Sequence, residues 1–371
     1  MGKSIGMDSR VGNLNDQDPK SQAGKGVTWQ KAFFSVWDLN IGAWDLFGMA
    51  TWSLGFYFDM PLSNAVQVSI DLARIRQNAE AILKQTNVPI IAVVKADAYG
   101  LGASEVASAI GDLVNGFYVF DAAEAVAGRF WDIAHRRTIA LNSNWDDPQE
   151  YISRHIQPVV WSVDRATAWR KTGPVLSIDT GQQRFACPPE LADSVRVAGD
   201  CDEAMTHAVT LPQVDYFLET VSTFKTAKLF LHAAGSALLD HPRARMNAVR
   251  PGLELYRGAA RITARLIEAK DSTGPAGYTG FQVSRFGVIL AGYSNGLRKG
   301  PCKVNGEIRQ VLEVGMQSSF IELGERDHRG DEVLLLGDET GIDEASIAGA
   351  WGTSQQEAMF RLASMGVRNY R

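Results

Sequence analysis

Between residues 67 and 256 the chain repeats one pattern. A short apolar run is followed by a polar or glycine-containing break, then by a stretch with apolar residues every three or four positions. The runs at 67–71, 89–94, 117–120, 138–141, 157–161, 175–178, 203–207 and 229–232 have strand length. Helical spacing over 72–85, 103–114, 122–130, 165–171 and 214–226 separates most of them, and Asp71 stands where it can cap the first of these helices. Short buried strands alternating with helices predict a parallel sheet, and about eight such units predict a (β/α)8 TIM-type barrel. The alternation stops near Tyr256. Beyond it, strand-like runs at 285–290, 310–314, 320–323 and 332–336 are separated by Gly-rich turns, the texture of a smaller C-terminal β-rich domain. Late helices are expected over 342–350 and 355–365. The expected division is therefore an appendage over 1–59, a barrel over 60–262 and a β domain over 263–371.

The first 59 residues do not share this pattern. Residues 1–26 are rich in Gly, Ser, Asp, Asn and Lys, a composition that predicts disorder. Trp29, Trp37, Trp44 and Trp52 then follow at spacings that keep them roughly on one side of a helix. The stretch 41–58 is apolar, but Asp45 and several glycines interrupt it and it barely reaches spanning length, so no membrane segment is expected. It also lies too late and lacks a cleavage site for a signal peptide. Met60 is a plausible natural start.

Composition narrows the class further. The 371 residues are 45% hydrophobic and 21% charged, ordinary for a globular enzyme. A net charge of −5 gives no reason to expect a nucleic-acid partner. Cys187, Cys201 and Cys302 are too few and scattered for a disulfide framework or a zinc site, which points to a reducing, cytoplasmic setting.

The chemistry concentrates in Ile91-Ala-Val-Val-Lys95-Ala-Asp-Ala-Tyr99-Gly100-Leu-Gly102. An apolar strand ends abruptly in a lysine, and the small residues and glycines after it let a ligand approach the backbone. Barrel enzymes keep their chemistry at this end of a strand, and a desolvated lysine there can lose its proton and attack a carbonyl. The dodecamer closely resembles the pyridoxal-phosphate lysine motif of the alanine racemases. Further motifs resemble that family in its order over about residues 66–371. Asp179-Thr-Gly-Gln-Gln-Arg184 is similar to D-T-G-M-G-R, and Thr206-His207 to the strand end that carries the family's histidine. His232-Ala-Ala-Gly235-Ser236 is similar to H-x-A-N-S, and Val249-Arg250-Pro-Gly252-Leu253-Glu-Leu-Tyr256 to V-R-x-G-I-x-x-Y-G. In the C-terminal part, Gly277-Tyr278-Thr-Gly resembles S-Y-G-x-T, Gly292-Tyr293-Ser-Asn-Gly296 resembles G-Y-A-D-G, and Met316 begins the M-D pair.

The resemblance implies a homodimeric racemase of alanine or another small amino acid. Lys95 binds pyridoxal 5'-phosphate covalently, and Tyr99, Ser236 and the backbone of Gly252 and Leu253 hold its phosphate. His207 packs beside the ring. Arg184 binds a ring oxygen and the substrate carboxylate, for which its two parallel N–H donors suit it. Arg250 faces the pyridine nitrogen, where it cannot accept a proton; this weakens the electron sink and favours return of a proton to Cα. Lys95 and Tyr278 of the partner subunit act as the bases on opposite faces, with His207 and Arg250 supplying the positive field that lowers the Tyr278 phenol. Tyr293 lines the substrate entrance and Met316 helps to hold the carboxylate.

The sequence departs from the family at Leu101, where a histidine is usual, at Ser177 (lysine), Gly235 (asparagine) and Gln317 (aspartate). The late phosphate tyrosine is absent, with Ser364 near its expected place. Two other readings stand beside the racemase. One is another fold-type III enzyme, a decarboxylase or lyase, although those favour V-K-A-N and a carboxylate at the ring nitrogen. The other is a pyridoxal-phosphate binder without turnover, which the altered surroundings of the site would suit and the β domain would not.

Overall fold

A computed structural model describes residues 66–142, 147–225 and 228–371. Pro61–Arg371 is one compact unit, and the readings made for 1–59 lie outside the described residues. Its strands form two sheets. The first is parallel and runs in sequence order: β2 (Ile91–Val93), β3 (Gly116–Asp121), β4 (Arg137–Asn142), β5 (Ile156–Val160), β6 (Val175–Ser177), β7 (Glu203–Ala208) and β8 (Phe230–Ala234). The segment 247–251 then hydrogen-bonds on both sides. Asn247 N donates to Leu231 O (3.0 Å) and Arg250 N to Ala234 O (2.7 Å) along β8. Val249 N donates to Pro89 O (3.0 Å), and Val249 O accepts from Ile91 N (2.9 Å) beside β2.

The side chains on one face of this sheet fill its interior. Ile91, Val93, Tyr118, Ile139, Leu141, Val159, Val175, Met205 and Ala248 form one buried cluster, drawn from nearly every strand. The alternate residues, among them Ala92, Phe117, Val119, Ala140 and Leu176, pack outward against the helices, where Ile75, Ala79, Val106, Ile110, Val214 and Phe217 meet them. Strands buried on both faces read as continuous apolar runs, which is why the sequence marks them so clearly.

The second sheet is mostly antiparallel. It comprises β9 (Ala260–Asp271), β10 (Arg285–Ile289), β11 (Pro301–Val304), β12 (Glu307–Val314), β13 (Ser319–Glu322) and β14 (Glu332–Leu336). It also takes in the first and last described strands, β1 (Gln67–Ile70) and β15 (Val367–Tyr370). β1 pairs with β9 antiparallel and with β15 parallel. The 67–71 run, counted with the barrel strands from its sequence position, thus belongs to the other sheet, and the segment 247–251 occupies the place beside β2. The pattern gives the reason: β1 alternates, with Val68 and Ile70 buried and Gln67 and Ser69 half-buried, whereas β2 is buried throughout. Alternation fits a sheet covered on one face only. The helices expected over 342–350 and 355–365 appear as Glu344–Trp351 and Gln355–Ala363. Among the described residues, no helix is long and apolar enough to cross a membrane.

Candidate active site

Lys95 follows β2, and the chain then does something unusual. Ala96, Asp97, Ala98 and Tyr99 all take positive φ, between 52° and 60°. Four consecutive L-residues in the left-handed region are disfavoured by roughly 1–2 kcal/mol each, so the surroundings must impose the turn. Within it, Gly100 N donates to Ala96 O (2.9 Å) and Gly102 N to Asp97 O (3.0 Å). From one side, Glu124 accepts from Ala96 N at 2.8 Å and from Phe120 N at 2.8 Å. From the other, Asp97 accepts from Ala103 N at 2.8 Å and pairs with Arg368 of β15. Tyr370 lies against Gly102, where a Cβ would sit 2.1 Å from its hydroxyl.

This turn aims Lys95 into a cavity of about 220 Å³ at the C-terminal ends of the parallel strands. Lys95, Tyr99, Arg184, His207, Ser236, Arg250, Gly252 and Leu253 all line it. Burial lowers the Lys95 amine below its usual range, and Arg184 and Arg250 lower it further against the opposing charge of Glu124. Tyr99 is pushed up to about 12 by burial and stays a phenol. Its hydroxyl approaches Gly252 so closely that a Cβ there would lie 2.3 Å away. Ser236 Oγ accepts from Gly252 N (3.1 Å) and Glu254 N (3.2 Å). His207 is lowered to about 4, first by burial and then by Arg250, Lys95 and Arg184. It is therefore neutral near pH 7, and the positive field expected from it falls to the two arginines instead. Arg184 is exposed at the rim and makes no hydrogen bond or ion pair among the described residues, which leaves its guanidinium available.

Arg250 is held from below by a chain of polar side chains from the parallel sheet. Its guanidinium donates to His232 O at 3.1 Å, and also to His232 Nδ1 and Thr206 O. His232 Nε2 meets Glu203 at 2.8 Å, and Glu203 pairs with Arg137. Burial, with the charge of Arg250, lowers His232 to about 4 despite Glu203. The ring is thus neutral, with the proton on Nε2 toward Glu203 and the Nδ1 lone pair toward Arg250. Burial alone would raise Glu203, but its bonds to His232 and Arg137 outweigh that and bring it down to about 2.

Tyr278, Tyr293 and Met316 do not reach this cavity. They project from the β sheet, 95%, 58% and 61% exposed. Tyr293 and Met316 are neighbours: Tyr293 N donates to Gly315 O (2.9 Å) and Ser294 N to Met316 O (3.0 Å).

Two features of the site were not read from the sequence. One is His232, taken with the phosphate motif but placed beneath Arg250; its inward position on β8 was the available signal. The other is Gln356, on the helix Gln355–Ala363, which lines the cavity. Ser364, expected near the place of the late tyrosine, instead faces solvent and donates to Phe360 O at 2.8 Å. Leu101 is buried, Ser177 and Gly235 line the cavity, and neither of the latter brings a charge to it.

A lysine of lowered basicity, two arginines and a glycine-lined hydroxyl cradle at the C-terminal ends of the parallel strands could hold an anionic, carbonyl-bearing cofactor. These residues fit pyridoxal phosphate. The profile of the family "Alanine racemase, N-terminal domain" matches residues 70–260, and the chain belongs to the alanine racemase family. It is 28% identical to an alanine racemase of Mannheimia succiniciproducens over 82% of this chain and 98% of that protein. It is also 28% identical to one of Neisseria meningitidis serogroup B, over 79% and 96%. Among solved structures, the alanine racemase of Streptomyces coelicolor superposes with a TM-score of 0.75 at 23% identity, covering 82% of this chain and 98% of that one. The Bartonella henselae alanine racemase with covalently bound pyridoxal phosphate gives 0.73 at 19% identity, covering 83% and 99%.

Proposed function

We propose that this protein is a pyridoxal-phosphate-dependent racemase acting on alanine or another small amino acid. The observation that supports it most is the convergence of Lys95, Arg184 and Arg250 on one cavity in a chain of this family. The segment 247–251 completes the parallel sheet as a closed (β/α)8 barrel, and the β sheet acts as the second domain. Pyridoxal phosphate, when bound, supplies an electron sink that makes the Cα proton of an attached amino acid removable.

The chain's own residues do the rest. Lys95 Nζ would anchor the cofactor, and the burial and neighbouring arginines that lower its basicity favour the uncharged amine. Tyr99, Ser236, Gly252 and Leu253 would hold the phosphate and His207 the ring; these residues and Gln356 line the one cavity. Arg184, free at the rim, takes the substrate carboxylate. Arg250 only donates, so a ring nitrogen placed against it would stay unprotonated, and proton return to Cα would be favoured over transamination. Lys95 moves the proton on one face, and Tyr278 of a partner subunit moves it on the other. The exposure of Tyr278, Tyr293 and Met316 supports a homodimer in which they enter the neighbour's barrel mouth. Three free, buried cysteines suit a reducing, cytoplasmic setting.

The test is incubation of the loaded protein with L-alanine in deuterated buffer, after borohydride fixation of the cofactor on a parallel sample. D-alanine carrying deuterium at Cα, with the label on the peptide containing Lys95, is the expected result. Carbon dioxide release would make it a decarboxylase, and no change with L-alanine or any other small amino acid would make it a binder.

A further inference from the structure

The turn that carries Tyr278 is held from beneath by one carboxylate. Tyr278 lies between Ala276 and Phe281, which are bridged backbone to backbone at 3.0 Å. Glu313 on β12 is only 4% exposed, and three donors of this turn meet it. Tyr278 N lies at 2.9 Å, Thr279 N at 2.8 Å and Thr279 Oγ1 at 2.6 Å. Gly277, at φ +69°, makes the approach possible: a Cβ there would lie 2.8 Å from both Glu313 oxygens. A bulge between Val311 and Glu313 sets Glu313 opposite Phe320, whose ring packs on Phe281 at 5.2 Å. Bulges commonly re-aim a side chain beside a functional site.

We infer that Glu313 is a positioning residue for the reaction: it fixes the backbone from which the Tyr278 phenol would reach the Cα of a substrate held in the neighbouring subunit. This rests on Tyr278 being the second base. The Tyr278 side chain is 95% exposed among the described residues, so the direction of the ring depends on the backbone beneath. A carboxylate suits this task because it has acceptors only and all three groups that meet it are donors. Glutamine in its place would turn an amide N–H₂ against one of them.

The experiment uses the full-length, cofactor-loaded protein and compares Glu313→Ala, Glu313→Gln and Gly277→Ala with the parent. Glu313→Ala is expected to lose racemisation by about 10²-fold, the scale of a catalytic group misplaced by about an ångström. It should keep the cofactor's yellow colour and the Cα exchange performed from the Lys95 side. Backbone amides of Tyr278 and Thr279 should exchange hydrogen faster. Glu313→Gln should fall between Glu313→Ala and the parent. Gly277→Ala, which displaces the carboxylate without removing it, should show the same one-sided loss if Glu313→Ala does not fold. Adding Glu313→Ala to Tyr278→Phe should cause no further loss, because Glu313 acts only through the phenol that Tyr278→Phe removes. Racemisation at the parent rate in Glu313→Ala, equal loss of exchange on both faces, or full additivity with Tyr278→Phe would each overturn the inference. If Tyr278→Phe alone racemises at the parent rate, it is the assignment of the base that fails. The hydrogen-exchange arm then still judges the clamp: faster exchange in Glu313→Ala supports it, and unchanged exchange refutes it.

Discussion

Arg250, the residue with the most restrictive chemistry, is positioned by Thr206 of the cavity wall and, behind it, by His232 and Glu203, which do not line the cavity. His232 can accept from Arg250 only while it is neutral, and Glu203 fixes the tautomer that makes it so. Glu203→Leu removes one side of a buried charged network and strands Arg137 and His232, so it should cost about 3 kcal/mol of unfolding free energy in a denaturant titration. Two histidines also set a pH dependence, chiefly His232, which is fully buried, and to a smaller degree His207, which is exposed at the cavity. His207 and His232 are each lowered from 6.5 to about 4. Between those values the unfolded chain binds protons that the folded one refuses, so stability rises with pH through that window. Thermal unfolding of the cofactor-free protein should show full stability above pH 6.5 and a progressive loss down to about pH 4. A flat profile across this range would mean that the rings are not held neutral. At this scale Lys95, Arg184 and Arg250 were legible because each sits in a motif at a strand end. The state of His207 was not, since its neutrality comes from burial and from arginines far away in sequence.

The elements were legible where one period dominates. Strands β2 to β8, buried on both faces, stand out as apolar runs, and the helices between them as three-to-four spacing. The segment 247–251 was missed as a neighbour of β2 because Asn247, Arg250 and Pro251 leave only Ala248 and Val249 as an apolar pair. β1 was counted with the barrel because sequence adjacency outweighed its alternation. The left-handed turn after Lys95 could not be read either: Ala, Asp and Ala give no sign of positive φ, which is imposed by Glu124 and by the Asp97–Arg368 pair. Gly102 is different, since its need for glycine is local. At φ +94°, with the Tyr370 hydroxyl where its Cβ would be, Gly102→Ala should destabilise by roughly 2–3 kcal/mol. It should also weaken retention of the cofactor, measured by dialysis against the parent. An unchanged melting temperature and retention would show that the C-terminal strand does not brace the turn.

At the scale of the whole molecule, the cavity and the exposed trio of Tyr278, Tyr293 and Met316 lie on the same chain without meeting. This is the geometry expected if two copies complete each other's sites. An inactive Lys95→Ala protein mixed with an inactive Tyr278→Phe protein should then recover partial activity, because some sites in the mixed dimer hold both bases. A fully active monomer would contradict this. The sequence implied the sharing only through the family's motifs, since nothing in the residues around Tyr278 says which barrel it enters. The most direct measurement is made on the Tyr278→Phe protein, incubated with each alanine enantiomer in deuterated buffer. The account predicts a protein that stays yellow and loses racemisation by about 10²–10⁴-fold, the usual worth of a positioned base. It should still exchange the Cα hydrogen of one enantiomer, with retention, through Lys95. Racemisation of both enantiomers at the parent rate would contradict it.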